Sequence, residues 1–386
     1  MHVRAIAGMS SVLFLLGAAA GCGHVAPGGS SRYGVGTVVQ TSAQDSATLP
    51  GGYGPITILA GDPSGRGVWF WDSTKTDLSV FRVDSHGSVT SWPVLSGAEN
   101  NFQAISGFTV TAAGIAWLGI NSTLTRVDSA SGTARTWQIP APADNPAAES
   151  YLPADLKNQH LVQGIAVAPD GEHVAIAMNH ASSVGLFDMS SGTFSQIAMP
   201  ATSDDPVAVA YSPDGTLGIA LANYTTHRED SALIIKQGGS PTVVRVADSS
   251  SLISDGTNGF IFGSSRPSLV TTVGKATPIV APAVSLSSVQ TGPAINVMPN
   301  GELAAITSAG IVEFPGDASS VASATSASIT LQLPGEQCQP NAPSYVVRTT
   351  TTGQCHPGAN AMAVDGEGDV WVVPGTGGAR VERLGS

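Results

Sequence analysis

Along most of this chain, apolar runs of about five residues alternate with polar turns built on Asp, Asn and Gly. The pattern repeats as a tight turn, a short strand, a polar loop, an apolar strand and a second Asp/Gly turn. Clear copies begin at Gly65 ("GRGVWFWDSTKTDLSVFRVDSHGSVTSWPV"), Ala112 ("AAGIAWLGINSTLTRVDSASGTARTWQIP"), Pro169 and Pro213. Fainter copies begin near Asp255 and Asn300, and a seventh starts at Asp365. The marker glycines are Gly65, Gly114, Gly171, Gly215, Gly256, Gly301 and Gly366, with several intervals near 44 residues. A strand such as "QGIAVA" or "ANAMAV" precedes each turn, so each unit holds four strands. Four short strands in roughly 40 to 50 residues form one blade of a β-propeller. A lone four-stranded sheet leaves both apolar faces wet, whereas a closed ring of blades covers them all.

The seventh copy ends after its third strand, at Leu384. The stretch "GVGTVVQTSAQDSATLP" (Gly34–Pro50) precedes the first copy, and it begins and ends like the outer strands of complete units. It is predicted to pair beside Ala379–Leu384, with Val35, Val38 and Val39 packing on that sheet. The expectation is a single all-β domain over 34–386, a seven-bladed β-propeller of four-stranded antiparallel blades closed by an N-terminal outer strand.

The turns after the first and third strands of each blade are short and uniform, as in Asp170-Gly171, Asp214-Gly215, Asn300-Gly301 and "VDSHG". The opposite face collects the irregular segments 141–160, 178–183, 223–230 and 335–357, and binding groups gather on loops carried by a rigid scaffold. Asn179, His180, Tyr224, His227 and His356 are the candidates to converge over the channel mouth there; two or more of His160, His180, His227 and His356 within metal or hydrogen-bond reach of one another would favour an enzyme.

Composition narrows the partners. Only 11% of residues are charged, against roughly 25% in ordinary globular proteins, yet 42% are hydrophobic. That supports a large core under a surface rich in Ser and Thr. The formal net charge is −12 with no run of Lys or Arg, which argues against nucleic acid as a partner. A short polar start, an apolar stretch from Val12 to Ala20 and "AAAGC" predict a lipoprotein signal peptide over 1–22, with Cys22 as the lipidated residue. Ala19 stands where Leu is commoner in such signals. A Gly/Pro/Ser tether over 23–33 follows. No later apolar run approaches the roughly 20 residues that cross a bilayer. The remaining cysteines, Cys338 and Cys355, are expected to form a disulfide in an exported protein. Closing that loop would contribute about 3 kcal/mol in the chain-entropy account.

No nucleophile elbow, phosphate loop, zinc-helix motif or dinucleotide fingerprint occurs in the chain. "DGEGD" (365–369) lacks the later Gly and Glu of a calcium loop. No metal or cofactor is therefore expected. The stretches "GVWFWDSTKTDLSVFRVDSHGSVTSW" and "AVDGEGDVWVVPGTGGARVERL" resemble blades of the streptogramin lyase (virginiamycin B lyase) family. The resemblance implies a seven-bladed propeller over about 55–386. In that family histidines before the inner strand and a glutamate after "WF" open a cyclic ester by elimination with magnesium. The matching histidine positions here hold Pro55, Ser106, Gln163, Val207, Pro293 and Asn360, and the glutamate position holds Asp72. None of those six can serve as a general base near neutral pH. The resemblance thus implies the fold and not the chemistry.

The resulting expectation is a monomeric binding module, held by its lipid on the extracytoplasmic face of the cell membrane, that engages a protein or a cell-envelope glycan. The alternative is a lyase or hydrolase of the same general kind with relocated catalytic residues. Metabolic labelling with a fatty-acid analogue should tag the wild-type chain and leave Cys22→Ser unlabelled; equal labelling of both would sink the lipid anchor.

Overall fold

The computed structural model describes residues 37–40, 43–48, 58–73, 77–95, 105–145, 160–200, 204–223, 228–263, 266–279, 295–307, 310–314, 329–332, 346–348, 355–357, 359–374 and 380–384. Seven blade sheets succeed one another, six of four strands and one of five; the four strands common to all are lettered a to d from the axis outward. Blade 1 spans 60–95, blade 2 105–138, blade 3 162–198, blade 4 204–245, blade 5 252–278 and blade 6 295–332. Blade 7 takes strands a to c from Ala359–Val364, Val370–Pro374 and Arg380–Leu384, and strand d from Ala43–Thr48.

Position within the blade dictates composition. Middle strands are covered on both faces, so Ile115–Ile120 and His173–Met178 are buried along almost their whole length and read as continuous apolar runs. Strand d has one wet face and one wet edge, and Thr133–Gln138 is mostly exposed and rich in Thr. Neighbouring blades meet through apolar clusters. Trp69 and Leu118 join blades 1 and 2, and Trp117 and Phe187 join blades 2 and 3. Ala177 and Leu217 join blades 3 and 4, Ala220 and Phe260 blades 4 and 5, and Ile261 and Leu303 blades 5 and 6. Between blades 6 and 7, Asn296 Nδ2 donates to the Met362 carbonyl at 3.3 Å. Near the axis the inner strands approach so closely that side chains are excluded. A Cβ on Gly61 would lie 1.8 Å from the Val364 carbonyl oxygen, and one on Gly164 would lie 2.9 Å from Ala208 Cα.

The ring closes where blade 7 meets blade 1. Val68, Phe70 and Phe81 of blade 1 share one core with Ala361, Trp371, Val373 and Val381 of blade 7. On the turn face, Asp365 is buried, and its Oδ2 accepts both Gly67 N–H (3.0 Å) and Trp371 Nε1–H (2.9 Å). The other carboxylate oxygen accepts N–H groups from Glu367 and Asp369 within its own turn. Gly366 N–H reaches the Asp62 carbonyl at 2.8 Å, and Arg66 lies 3.6 Å from Asp369. One carboxylate therefore orients the turn, the tryptophan and the neighbouring blade together.

The N-terminal segment divides its pairing. Ala43–Thr48 runs antiparallel to Arg380–Leu384, from Thr48 opposite Arg380 to Ala43 opposite Leu384, and supplies the strand that blade 7 lacks. The segment expected to form one strand over Gly34–Pro50 is split, however. Thr37–Gln40 lies parallel to Ile329–Gln332, making a fifth strand on blade 6. Val38 and Val39 therefore belong to blade 6 rather than to the sheet on which they were expected to pack. The outer strand of blade 6 otherwise ends in a row of unpaired N–H and C=O groups, and the incoming chain satisfies them on its way to blade 7.

The expected Cys22 lipidation falls outside the described residues. Of the expected disulfide, Cys338 is also outside them, and Cys355 opens a short strand whose backbone pairs with Arg348.

Deleting 37–48 should lower the melting temperature by many degrees and promote association, because two blade edges lose their cover; unchanged melting and a monodisperse profile would exclude this closure. Asp365→Ala should melt lower as well, since Gly67 N–H and Trp371 Nε1–H lose their acceptor, at about 3 kcal/mol.

Acid should weaken the turn face. Asp188 is held at about 2 by the Ser190 hydroxyl and then the Ser191 N–H. Asp128 is lowered chiefly by the Ser131 N–H. At Asp62 burial works to raise the carboxyl, yet Ser64 and Arg82 outweigh it and the net shift is downward. Groups lowered on folding contribute stability that is complete above their unfolded value of 3.8 and is lost as pH falls through the folded value. The melting temperature should accordingly fall between pH about 4 and about 2, and Asp62→Asn should flatten part of that slope.

Candidate functional site

The inner strands of all seven blades line a central channel of about 500 Å³. Among the described lining residues there is no carboxylate, histidine or cation: the polar groups are Thr109, Gln163, Tyr211, Ser250, Ser251, Ser254 and Asn296. Gln163 and Val207, which occupy two of the lyase histidine positions, both face this channel. Ser106 and Asn360 lie in the inner strands of blades 2 and 7, and Pro55 and Pro293 are outside the described residues. Asp72 is buried in strand b of blade 1, opposite Ser79.

On the loop face, over blades 3 and 4, polar side chains form a buried cluster. Its base is a pair of aspartates that opens strand a of blade 4, where the other blades carry no charged residue. Asp205 is fully buried, and its Oδ2 accepts the His180 N–H at 2.8 Å and lies 3.1 Å from His180 Nδ1. Its Oδ1 accepts Asn145 Nδ2–H at 2.8 Å. Asn223 Nδ2 donates to Asp204 Oδ1. His180 adopts φ 57° in the turn between strands b and c of blade 3, and these bonds to Asp205 hold it in that left-handed conformation.

A second histidine extends the cluster toward the insertion 141–160. His160 is buried, with Nε2 2.9 Å from Asp144 Oδ1 and Nδ1 3.1 Å from the Asn179 carbonyl. Both partners are acceptors, so a neutral ring satisfies one of them and a doubly protonated ring satisfies both. Asn179, half-buried, accepts the Leu161 N–H through Oδ1. Asn145 N–H bonds the His180 carbonyl at 2.9 Å, and Ser182 N–H bonds Ala143 at 3.0 Å. The first residues of the insertion are thereby laced to blade 3 and anchored on blade 4.

The sequence candidates thus distribute as follows. Asn179, His180 and His160 come together in one cluster. Tyr224 and His227 lie outside the described residues, and His356 is described only through its strand, opposite Val347. Sequence reasoning missed Asp144, Asn145, Asp204, Asp205 and Asn223. The signal available for two of them was the paired Asp204-Asp205 at the start of an inner strand, an expensive place for carboxylates without partners. Among the described residues no group of three or more His, Cys, Asp or Glu side chains is arranged to hold a metal. The chemistry on offer is that of hydrogen bonding from a rigid, polar platform.

The sequence matches no family model, and no curated protein matches it. Solved structures do match in fold. The extracellular domain of the one-component system BT4673 from B. thetaiotaomicron superposes with TM-score 0.52 at 13% identity, over 89% of this chain and 40% of that one. The chain thus spans about two fifths of that domain's length. The WD40 repeats of RRP9 superpose with TM-score 0.59 at 11% identity, covering 89% and 99% of the two chains. The Swd1 β-propeller domain from Myceliophteria thermophila gives 0.55 at 11%, covering 90% and 99%. At such identities the likeness is one of architecture, and the architecture is that of a β-propeller.

Proposed function

We propose that this chain is a membrane-anchored extracytoplasmic lipoprotein that binds a protein partner or a cell-envelope glycan through the loop face above its channel. The observation that carries this reading is the buried Asp205–His180–Asn145 linkage. It fixes residues 143–145, at the start of the insertion, and among the described residues it assembles no catalytic constellation, which is how a scaffold presents a contact surface. The uncharged channel wall favours binding over catalysis, since it carries no described group able to exchange a proton near neutral pH. The neighbours in fold, an extracellular domain and WD40 repeats, are compatible with the same reading. The anchoring half of the proposal rests on the signal and Cys22.

Affinity capture from envelope extracts with the wild-type chain should retain a specific protein or glycan. Asn145→Ala, which removes one donor to Asp205 and leaves every blade intact, should weaken retention at least tenfold while melting within a few degrees of wild type. Undiminished capture by Asn145→Ala would move the contact surface away from this face.

A further inference from the structure

The turn face, which the sequence presents as plain scaffold, carries an open groove of about 530 Å³ between blades 3 and 4. Comparing the same place at successive interfaces explains why it is open. In blades 1 and 2, strand b carries a tryptophan opposite an arginine of strand c: Trp69 opposite Arg82 and Trp117 opposite Arg126. Strand d adds a second indole at a fixed distance from the preceding turn. Trp92 stacks on Trp69 at 5.0 Å, and Trp137 stacks on Trp117 at 6.0 Å. Trp137 also touches Phe187 of the next blade at 4.9 Å. The third interface has the same backbone and none of these rings. The register puts Ala175 opposite Leu186 where the Trp–Arg pairs stand, and Ile197 opposite Val184 where Trp137 stands opposite Leu124. On the facing wall Ile235 pairs with Leu217 as Phe187 pairs with Val174. Three aromatic positions have become small or aliphatic, and the space remains. The turn that closes it, Lys236 to Gly239, contributes two glycines beside the long side chains of Lys236 and Gln237.

We propose that this wedge is a binding site for a small aromatic amine, whose ring occupies the place that the protein's own indoles fill at the two preceding interfaces. The walls are Leu186, Ile197, Leu217 and Ile235, apolar surfaces suited to the faces of a planar ring. The volume lies within the roughly 300–1,000 Å³ of ordinary ligand clefts. Charge at the mouth selects the substituent. Asp170 and Asp214 line the mouth with Lys236, two carboxylates to one lysine, and His173 Nδ1 lies 2.9 Å from Asp170.

Both carboxylates stay ionised. At Asp170 burial works upward but the Glu172 N–H and the His173 ring prevail, so the carboxyl is lowered. At Asp214 the Ser212 hydroxyl leads the lowering. Burial, with the Asp170 charge, pushes the Tyr211 hydroxyl up to about 12, and the protonated phenol stands at the inner end of the groove as a hydrogen-bonding group. Tyr211 lines both this groove and the central channel, so the site ends at a wall shared with the axis. The site lies on the face opposite the proposed partner surface and stands independently of it.

Tryptamine is the probe, followed on the full chain by isoleucine-methyl NMR. The Ile197 and Ile235 resonances should move saturably with millimolar tryptamine, while Ile261, at the interface of blades 5 and 6, should not. Ile197→Trp should weaken binding at least tenfold and melt no lower than wild type, because it restores the ring that the wedge lacks. Asp170→Asn should weaken tryptamine two- to fivefold and leave indole unchanged. Static Ile197 and Ile235 resonances in the wild type, or undiminished binding by a folded Ile197→Trp, would overturn the proposal. Should Ile197→Trp fail to fold, the wild-type methyl shifts decide it alone.

Discussion

Everything in this molecule depends on the seventh sheet meeting the first. Six of the seven interfaces join blades that follow one another along the chain, so their contacts form with little loop to close. The remaining interface must join the two ends, and without it two apolar sheet faces are left wet. The fold concentrates specific chemistry at that seam. A shared core of Phe70, Phe81, Trp371 and Val381 supplies the burial, and the Asp365 carboxylate fixes the geometry. The contrast among tryptophans is informative. Trp371 donates its indole N–H to Asp365, whereas the equivalent N–H groups of Trp69 and Trp117 have no hydrogen-bond partner. A buried donor without an acceptor is costly, so the seam is the place where the repeat is best satisfied.

The architecture was legible because the repeat is written twice, in spacing and in strand composition. Turns such as Asp170-Gly171 and Asp214-Gly215 carry the positive-φ glycines that the marker pattern implies. Blades 5 and 6 read faintly for a physical reason: their strands run to three to five residues, against six or seven for strands b to d of blades 1 to 3, too short to display a period. The missing outer strand of blade 7 was inferable by counting strands, since a blade without it is incomplete. The parallel strand on blade 6 was not. A parallel pairing of four residues leaves no mark in local sequence, because its partner lies near the other end of the chain.

The loop-face cluster was half legible. His160, Asn179 and His180 stood out as polar residues on irregular loops, but sequence order gives no clue that Asp205 on the next blade would bury the His180 ring. Such pairing is decided by how blades are set side by side, a distance that no single repeat encodes. The turn-face groove was hidden for the opposite reason. Its signal is an absence, Ala175 and Ile197 where two sister blades have tryptophan, and an absence shows only after the repeats are aligned by register.

Pairing Ala43–Thr48 with Arg380–Leu384 has a consequence for the order of folding. The Ala43–Thr48 strand finds its partner only about 330 residues further along the chain. Until that partner is made it has no native neighbour within blade 7, while blades built from local hairpins can form behind it. The contact is among the least local the chain makes, so its loop-closure entropy is large and its formation slow. Completion of the ring is therefore a late event, and the growing chain carries an unfinished edge until Arg380–Leu384 has emerged.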